Sequence, residues 1–166
     1  MLRWLRRHSL PSEIRARLAL EPGERVIAHA LTGDRTAAVV ATTAAVHLPD
    51  GRRVPWERVD HAGWNDVGLT LTVEDEPELV VPLPAPGRLA QAVYERVTAT
   101  ILVSRHVPLL AAEEGSPGVR LVARRSPGGS EVTWRLRYDE GVDPDSAEVR
   151  ERTALALARL REQMGI

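Results

Sequence analysis

Between Glu24 and Pro84 the chain consists of short blocks of apolar and polar residues, and turn residues separate the blocks. The clearest alternation runs from Leu69 to Val73, where Leu69, Leu71 and Val73 are predicted to face a core and the intervening threonines to face water. Seven strands are predicted in this region, at residues 25–31, 36–42, 44–48, 53–56, 59–66, 69–73 and 79–83. Short strands with a turn after about every eight residues are typical of an antiparallel barrel or sandwich.

The stretch from Arg52 to Trp64 lies in the middle of this series and holds two of the four tryptophans. A Pro-Asp-Gly turn, residues 49–51, precedes it. We expect this stretch to form the corner at which a flat meander of strands begins to close. Gly63 is placed where a bulge or close packing is expected.

Two helical patterns flank the predicted strands. Before them, Ile14, Leu18 and Leu20 share one face of a short helix that starts near Ser12 and stops at Pro22-Gly23. After them, a longer helix opens at Pro86-Gly87 and is predicted to cover one end of the sheet. Its apolar stripe consists of Leu89, Ala92, Val93, Val97 and Ile101. Its last turns are rich in β-branched residues, so packing has to stabilise them.

The C-terminal third of the chain predicts a hairpin and a final helix. Strands at 118–125 and 131–138 are joined by Ser-Pro-Gly-Gly-Ser, which has hairpin turn chemistry. Asp143-Pro144 is the predicted start of the helix, and Gly165 its predicted end. Residues 105–108 either continue the preceding helix or lead out of it, and residues 109–117 form a linker. The apolar face of the final helix is Val149, Ala156, Leu157, Leu160 and Met164.

Seven strands followed by one helix resemble the pleckstrin-homology-like superfold, in particular the PH-like and GRAM-like domains of high-G+C bacteria. The resemblance is carried by PGERV at Pro22–Val26, VVATTAAVHL at Val39–Leu48 and RVPWERVDHAGW at Arg53–Trp64. It covers about residues 20–104. It implies an α+β fold, a split β-barrel of about seven antiparallel strands with a capping helix, here extended by a C-terminal hairpin and helix.

The resulting organisation has three parts. Residues 1–20 form a basic segment and short helix, residues 21–104 the PH-like domain, and residues 105–166 the hairpin and helix, packed on that same domain. PH-like folds leave a groove between an open sheet edge and the capping helix that suits peptide recognition. By analogy, residues near Thr36–Thr42 and Leu89–Val97 would line it. Phosphoinositide binding needs basic residues in the first strand connection, but Thr32–Arg35 offers only one arginine beside an aspartate.

Composition narrows the classes of partner. The net charge of −1 gives no global reason to expect nucleic acid or an anionic membrane. All 22 basic residues are arginine, which is typical of a G+C-rich coding bias, so arginine richness alone is weak evidence for phosphate binding. With no cysteine, no secretory signal and no apolar run near the roughly 20 residues of a spanning helix, we expect a cytoplasmic protein.

Motifs for catalysis are missing from the sequence. It contains no Gly-x-Ser-x-Gly, no phosphate-binding loop and no dinucleotide fingerprint. Five histidines lack metal-ligand spacing; His29, His47 and His61 lie in predicted strands, where one sheet face could gather them, although hydrogen-bonded structural roles are commoner. The acidic residues at 74–78 are expected to form a solvated hairpin tip. We therefore expect a protein that is not an enzyme, with no catalytic residue, metal or cofactor.

Three functions remain open. The first is protein recognition or homo-oligomerisation by a non-catalytic scaffold. The second is association with anionic membranes through the N-terminal residues Arg3, Trp4, Arg6 and Arg7. The third is contact of nucleic acid or another partner with the hairpin, whose arginines Arg120, Arg124, Arg135 and Arg137 alternate with apolar residues. In the hairpin, the apolar face would pack on the domain or meet a second copy, because a lone two-stranded ribbon is marginally stable.

Overall fold

A computed structural model describes residues 9–166 of the chain. In this part the fold is α+β, with ten strands in three antiparallel sheets and three α-helices. The chain divides into two compact units after Thr100. The first unit contains α1 (Ser12–Arg17), β1 (Val26–Leu31), β2 (Ala38–Thr42), β3 (Ala45–His47), β4 (Arg53–Pro55), β5 (Val59–Trp64), β6 (Gly68–Val73), β7 (Leu79–Pro82) and α2 (Leu89–Ala99). The second contains β8 (Ile101–Pro108), β9 (Gly118–Arg125), β10 (Val132–Tyr138) and α3 (Ala147–Met164).

The first unit consists of two sheets, one in the order β1-β2-β3-β4 and one in the order β5-β6-β7. The chain passes from one to the other through a single 3-10 turn at Trp56–Arg58. The Trp56 side chain is fully buried there, and its indole Nε1–H donates to the carbonyl oxygen of Thr42 at 2.9 Å. The first sheet therefore ends within the stretch predicted to be a corner, but the closure predicted there is not shown. No sheet closes into a barrel in the described residues.

One face of each sheet lines a common core. On the first sheet, the cross-strand neighbours Ala41, Val46 and Val54 all point into it. On the second sheet, the predicted alternation of Leu69, Leu71 and Val73 is confirmed, since all three are buried. Helix α2 packs on β1, β2 and β5 and completes this core with Leu89, Ala92, Val93 and Val97.

The opposite face of the first sheet carries a smaller apolar cluster. Ala38 and Val40 of β2 point to this outer face and are covered by Leu10 and by Ile14 of α1. The predicted N-terminal helix covers this face, but it ends at Arg17, so Leu18 and Leu20 lie outside it and Leu20 is exposed. The predicted helix face of Ile14, Leu18 and Leu20 is therefore formed by Ile14 alone. So short a helix is not stable alone, and the burial of Leu10 and Ile14 stabilises it.

Glycine is required where β6 meets β7. A Cβ atom on Gly68 would lie 2.3 Å from the carbonyl oxygen of Val81 and 2.5 Å from the amide nitrogen of Leu83. The backbone at Gly68 also has φ +153, which side chains disfavour. At Gly63, close packing is confirmed on the side of Thr70, while the bulge of β5 lies earlier, between Val59 and His61.

The end of α2 differs from the prediction. The helix stops at Ala99, and the residues from Ile101 to Pro108 form strand β8 rather than further helical turns or a lead out of a helix. The physical reason lies in the β-branched residues at this end, which favour an extended backbone once a neighbouring strand is present to pair with it. Strand β9 supplies that neighbour.

The second unit is a meander of three strands in the order β10-β9-β8, with α3 on one face. The predicted hairpin is confirmed, with seven regular pairs from Val132↔Arg125 to Tyr138↔Val119. Its core is formed by Val119 and Leu121 with Val149 and Leu160 of α3. Ser146, and not the predicted Asp143, occupies the N-cap position, without a side-chain capping hydrogen bond. Gly165 ends the helix in the left-handed conformation, as predicted.

Candidate functional site

The groove expected between β2 and α2 is not formed by the residues predicted to line it. Strand β2 is paired on both sides, and all five of its residues are buried. The apolar stripe of α2 is likewise buried in the core of the first unit. That prediction was wrong because the two elements pack on each other, which fills the space that a peptide would need.

A buried carboxylate joins three strands of the first sheet to the loop before β1. The side chain of Glu24 is only 1% exposed. Its Oε1 accepts hydrogen bonds from the Thr42 hydroxyl at 2.5 Å and from Nε2–H of His47 at 2.9 Å. Its Oε2 accepts from the amide of Glu21 at 2.9 Å and from Nε–H of Arg53 at 3.2 Å. Both carboxylate oxygens are therefore satisfied by donors.

These contacts set the charge state of Glu24. Burial alone would raise the pKa of this carboxyl, but hydrogen bonds from the Glu21 amide, the Thr42 hydroxyl and His47, together with the charge of Arg53, outweigh burial and lower the pKa to about 2. Glu24 is thus a carboxylate held inside the fold. Since Thr42 and His47 are also buried, the cluster stabilises the loop that precedes β1 and offers no surface to a ligand.

The strand histidines do not converge as a group. His29 and His47 both lie opposite Val40, so they share the outer face of the first sheet, but His61 belongs to β5 in the other sheet. His47 is a hydrogen-bonded structural residue, as histidines in strands commonly are. Within residues 9–166, no group of three or more histidine and acidic side chains is arranged to hold a metal ion.

The hairpin arginines do share one face of the second unit's sheet. In the β9–β10 register, Arg137 pairs with Arg120, Arg135 with Val122, and Thr133 with Arg124. Because neighbours across a ladder point the same way, Arg120, Arg124, Arg135 and Arg137 lie on the face opposite the core residues Val119 and Leu121. The predicted division into an arginine face and an apolar-aromatic face is therefore what the strand register gives.

Exposure divides these four arginines. Arg120 and Arg137 are exposed, Arg135 is partly buried, and Arg124 is only 2% exposed. Arg124 thus lies on the predicted face but is too buried to contact another molecule there. On the other face, Arg161 of α3 lies over the Trp134 ring, 5.6 Å from its centroid.

A hydrogen bond between a histidine and an aspartate borders the arginine face. His106 of β8 lies opposite Arg120, and its Nε2–H donates to Oδ2 of Asp139 at 2.7 Å. The same oxygen accepts from the amide of Gly118 at 2.8 Å. The hydrogen bond from His106, followed by that from Gly118, lowers the pKa of Asp139. The carboxylate therefore joins the end of β10 to the other two strands.

A cleft of about 570 Å³ opens on the first unit beside strand β7. One wall is the β1–β2 connection, and the other is β7, which lies at the edge of its sheet. Pro49, from the turn before β4, also lines the cleft. The lining is apolar apart from the turn: Thr32, Gly33, Asp34, Thr36, Ala37, Pro49, Val80, Val81 and Pro82. Nothing in the alternation of residues 79–83 distinguishes such an edge from a paired strand.

The turn that forms one wall is stiff. Asp34 accepts hydrogen bonds from the Thr32 hydroxyl at 2.6 Å and from the amide of Thr36 at 3.0 Å. These two contacts, the Thr32 hydroxyl first, lower the pKa of the Asp34 carboxyl. The cleft is thus preformed on this side, with an aspartate at its rim and no cluster of basic residues.

Arg3, Trp4, Arg6 and Arg7 lie outside the described residues, so their membrane contact stays a prediction. In the described part of the chain, no helix has the length and apolarity needed to cross a bilayer. Comparison with known proteins finds no matching family model, no matching curated protein and no matching solved structure. Any functional interpretation therefore rests on the residues themselves.

Proposed function

We propose that this chain is a non-catalytic module that recognises protein, and that the first unit binds a short extended peptide in the cleft beside β7. The observation that carries the proposal is an apolar cleft whose wall is an edge strand. Peptides bind to such edges as an added strand, with main-chain hydrogen bonds for affinity and side-chain contacts for specificity.

The backbone of β7 suits this mode of binding. The amide of Leu83 donates to the carbonyl of Val67, which fixes the phase of the β6–β7 ladder. Leu79 and Val81 therefore direct their backbone groups toward β6, while Val80 and Pro82 direct theirs to the open edge. Val80 also presents an apolar side chain that is 45% exposed. A peptide would pair at Val80 and place apolar side chains against Ala37 and Pro49.

A PH-like character of the first unit is part of the same proposal. Its support is the element order, seven strands in two antiparallel sheets followed by one helix, together with the motif residues around Trp56. Proteins of that superfold serve as recognition modules, so the resemblance and the cleft favour the same class of function.

Selection of displayed random peptides on the immobilised full-length protein tests the proposal. Selected peptides should bind with micromolar affinity, and Val80→Asp should weaken them at least about tenfold, because binding would bury a new carboxylate against an apolar edge. Val67→Asp is the matched control: Val67 is 54% exposed and does not line the cleft. Peptides that bind wild type and Val80→Asp equally would place recognition elsewhere and refute the assignment to β7.

A further inference from the structure

Strand β10 is an edge strand whose protection is limited to charged side chains. It is seven residues long, and in the described part of the chain it pairs only with β9. Natural edge strands avoid unwanted pairing by being short, by carrying proline or a bulge, or by carrying charged side chains. The edge strand β7 has four residues and ends in Pro82, and β8, the opposite edge of the second unit's sheet, has an irregular register between Ile101 and Val103. The β10 register has neither proline nor irregularity.

The backbone of β10 presents an open ladder. The amide of Asp139 donates to the carbonyl of Gly118 at 2.9 Å, which fixes the phase of pairing. The backbone groups of Thr133, Arg135 and Arg137 therefore point to β9. Trp134, Leu136 and Tyr138 direct theirs away from the sheet, where a further strand would accept them.

The side chains of β10 define which strand would fit. On one face, Arg137 lies directly opposite Arg120, and both are exposed. The charge of Arg120 also acts on Asp139 and helps to lower its pKa, so Arg120 is partly compensated. Like charges opposite each other on neighbouring strands destabilise a sheet, so acidic side chains on an added strand would relieve them. On the other face, Leu136 is 40% exposed and suits an apolar neighbour.

In the two registers that pair the middle of β10 with itself, the same charges oppose a second copy of this chain as the added strand. Antiparallel self-pairing of β10 centred on Leu136 would place Arg135 of one copy opposite Arg137 of the other. Pairing centred on Arg135 would place Arg135 of one copy opposite Arg135 of the other. Both registers bring guanidinium groups together on one face. The net charge of −1 likewise gives the whole chain no attraction for nucleic acid.

We infer that the edge of β10 binds an extended segment of an acidic partner protein, which adds a fourth strand with acidic residues toward Arg120 and Arg137 and apolar residues toward Leu136. This surface lies in the second unit and is independent of the cleft beside β7. Main-chain pairing would supply affinity, and the charges would supply orientation and a dependence on salt.

The probe is a fluorescent twelve-residue peptide of alternating glutamate and valine, titrated into the full-length protein and followed by anisotropy. Binding should weaken several-fold between 50 and 300 mM salt. Arg137→Glu should weaken it at least tenfold and create affinity for the matching lysine-valine peptide. Arg159→Glu, which changes an exposed arginine on α3, is the control for charge and should leave binding within about twofold.

A second variant tests the backbone. Leu136→Pro removes an amide that faces away from β9, so the sheet should persist in circular dichroism while peptide binding falls at least tenfold. Leu136→Ala keeps that amide and should lose much less. Unchanged binding in both Arg137→Glu and Leu136→Pro would overturn the inference.

Two other results would also overturn it. The first is a single-stranded oligonucleotide that displaces the peptide from the protein. If Arg137→Glu abolishes oligonucleotide binding and Leu136→Pro leaves it unchanged, the arginine face binds nucleic acid. A dimer in sedimentation that Leu136→Pro abolishes would assign the edge to a second copy.

Discussion

Glu24 shows how one buried charge organises the start of the first unit. Gly23-Glu24 belongs to a motif of the PH-like resemblance, but nothing in that motif predicts a role for the carboxylate. Its partners Thr42, His47 and Arg53 lie on three different strands. Such a cluster depends on strand register, which fixes neighbours far apart in the chain, so no local spacing in the sequence reveals it.

Replacement of Glu24 by glutamine should lower the free energy of unfolding at pH 7 by about 2–3 kcal/mol, because a buried charge-assisted network loses its anion. Urea denaturation measures this value. Glu21→Gln is the matched control: the Glu21 side chain is 64% exposed and pairs with the same arginine, so a loss below about 0.5 kcal/mol is expected. Equal losses for both variants would contradict a special role for Glu24.

The pH dependence of Glu24 has a definite sign. Its pKa is lowered from 4.5 to about 2 in the folded protein, so stability from this group is complete above pH 5 and declines as the pH falls toward 2. Between pH 6 and 3, wild type should lose about 2 kcal/mol more than Glu24→Gln, because the unfolded chain takes up the proton first. Urea titrations of both proteins at the two pH values measure the difference; parallel losses would show that other carboxyls account for acid destabilisation.

At the scale of elements, local chemistry predicts well where the pattern is strong. The bounds of β9 and the end of α3 at Gly165 agree with the sequence, since hairpin turn residues and a helix-ending glycine act locally. The boundary between α2 and β8 was wrong because a β-branched run is compatible with either state, and pairing with β9 decides it. The prediction of a groove beside β2 was wrong because the residues of a strand do not reveal whether other strands pair with it on both sides.

The β6–β7 hairpin should be intolerant of a side chain at Gly68. Gly68→Ala places a methyl group 2.3 Å from the Val81 carbonyl oxygen, so β7 must move or unpair. A loss of about 3 kcal/mol in the free energy of unfolding is expected, measured by urea denaturation. Gly33→Ala is the control, because a Cβ there meets nothing within 4 Å, and its effect should stay within about 0.5 kcal/mol. A tolerant Gly68 would mean that this edge is looser than the structure indicates.

At the scale of the whole molecule, the chain has separate apolar cores in its two units. The division falls after Thr100, close to the predicted limit of the PH-like region at 104. Sequence analysis predicted the α+β class and the antiparallel hairpin because these depend on periodicity and turns. The cleft beside β7 and the open edge of β10 were not predicted, because edge position is a property of the assembled sheet.

Two separate cores should respond separately to damage. Leu121→Ala removes a fully buried side chain of the second unit and should cost about 2–5 kcal/mol there. Hydrogen exchange followed by mass spectrometry should then show faster exchange in β9 and β10 while β6 stays protected. Leu71→Ala is the reciprocal variant and should accelerate exchange in β6 and in the other strands of the first unit, while β9 and β10 stay protected. Uniform acceleration across the chain in either variant would show that the two units unfold as one.

The facing arginines of β9 and β10 also bear on how this protein behaves while crowded with copies of itself. An edge strand without proline or a bulge is a template for sheet-to-sheet aggregation, and guanidinium repulsion is the barrier that keeps two such strands apart. That barrier acts through solvent and therefore shrinks with the Debye length, from about 10 Å at 0.1 M salt to about 3 Å at 1 M. Concentrated salt thus removes the protein's own safeguard against self-association, and dilute buffer is the medium in which it stays dispersed.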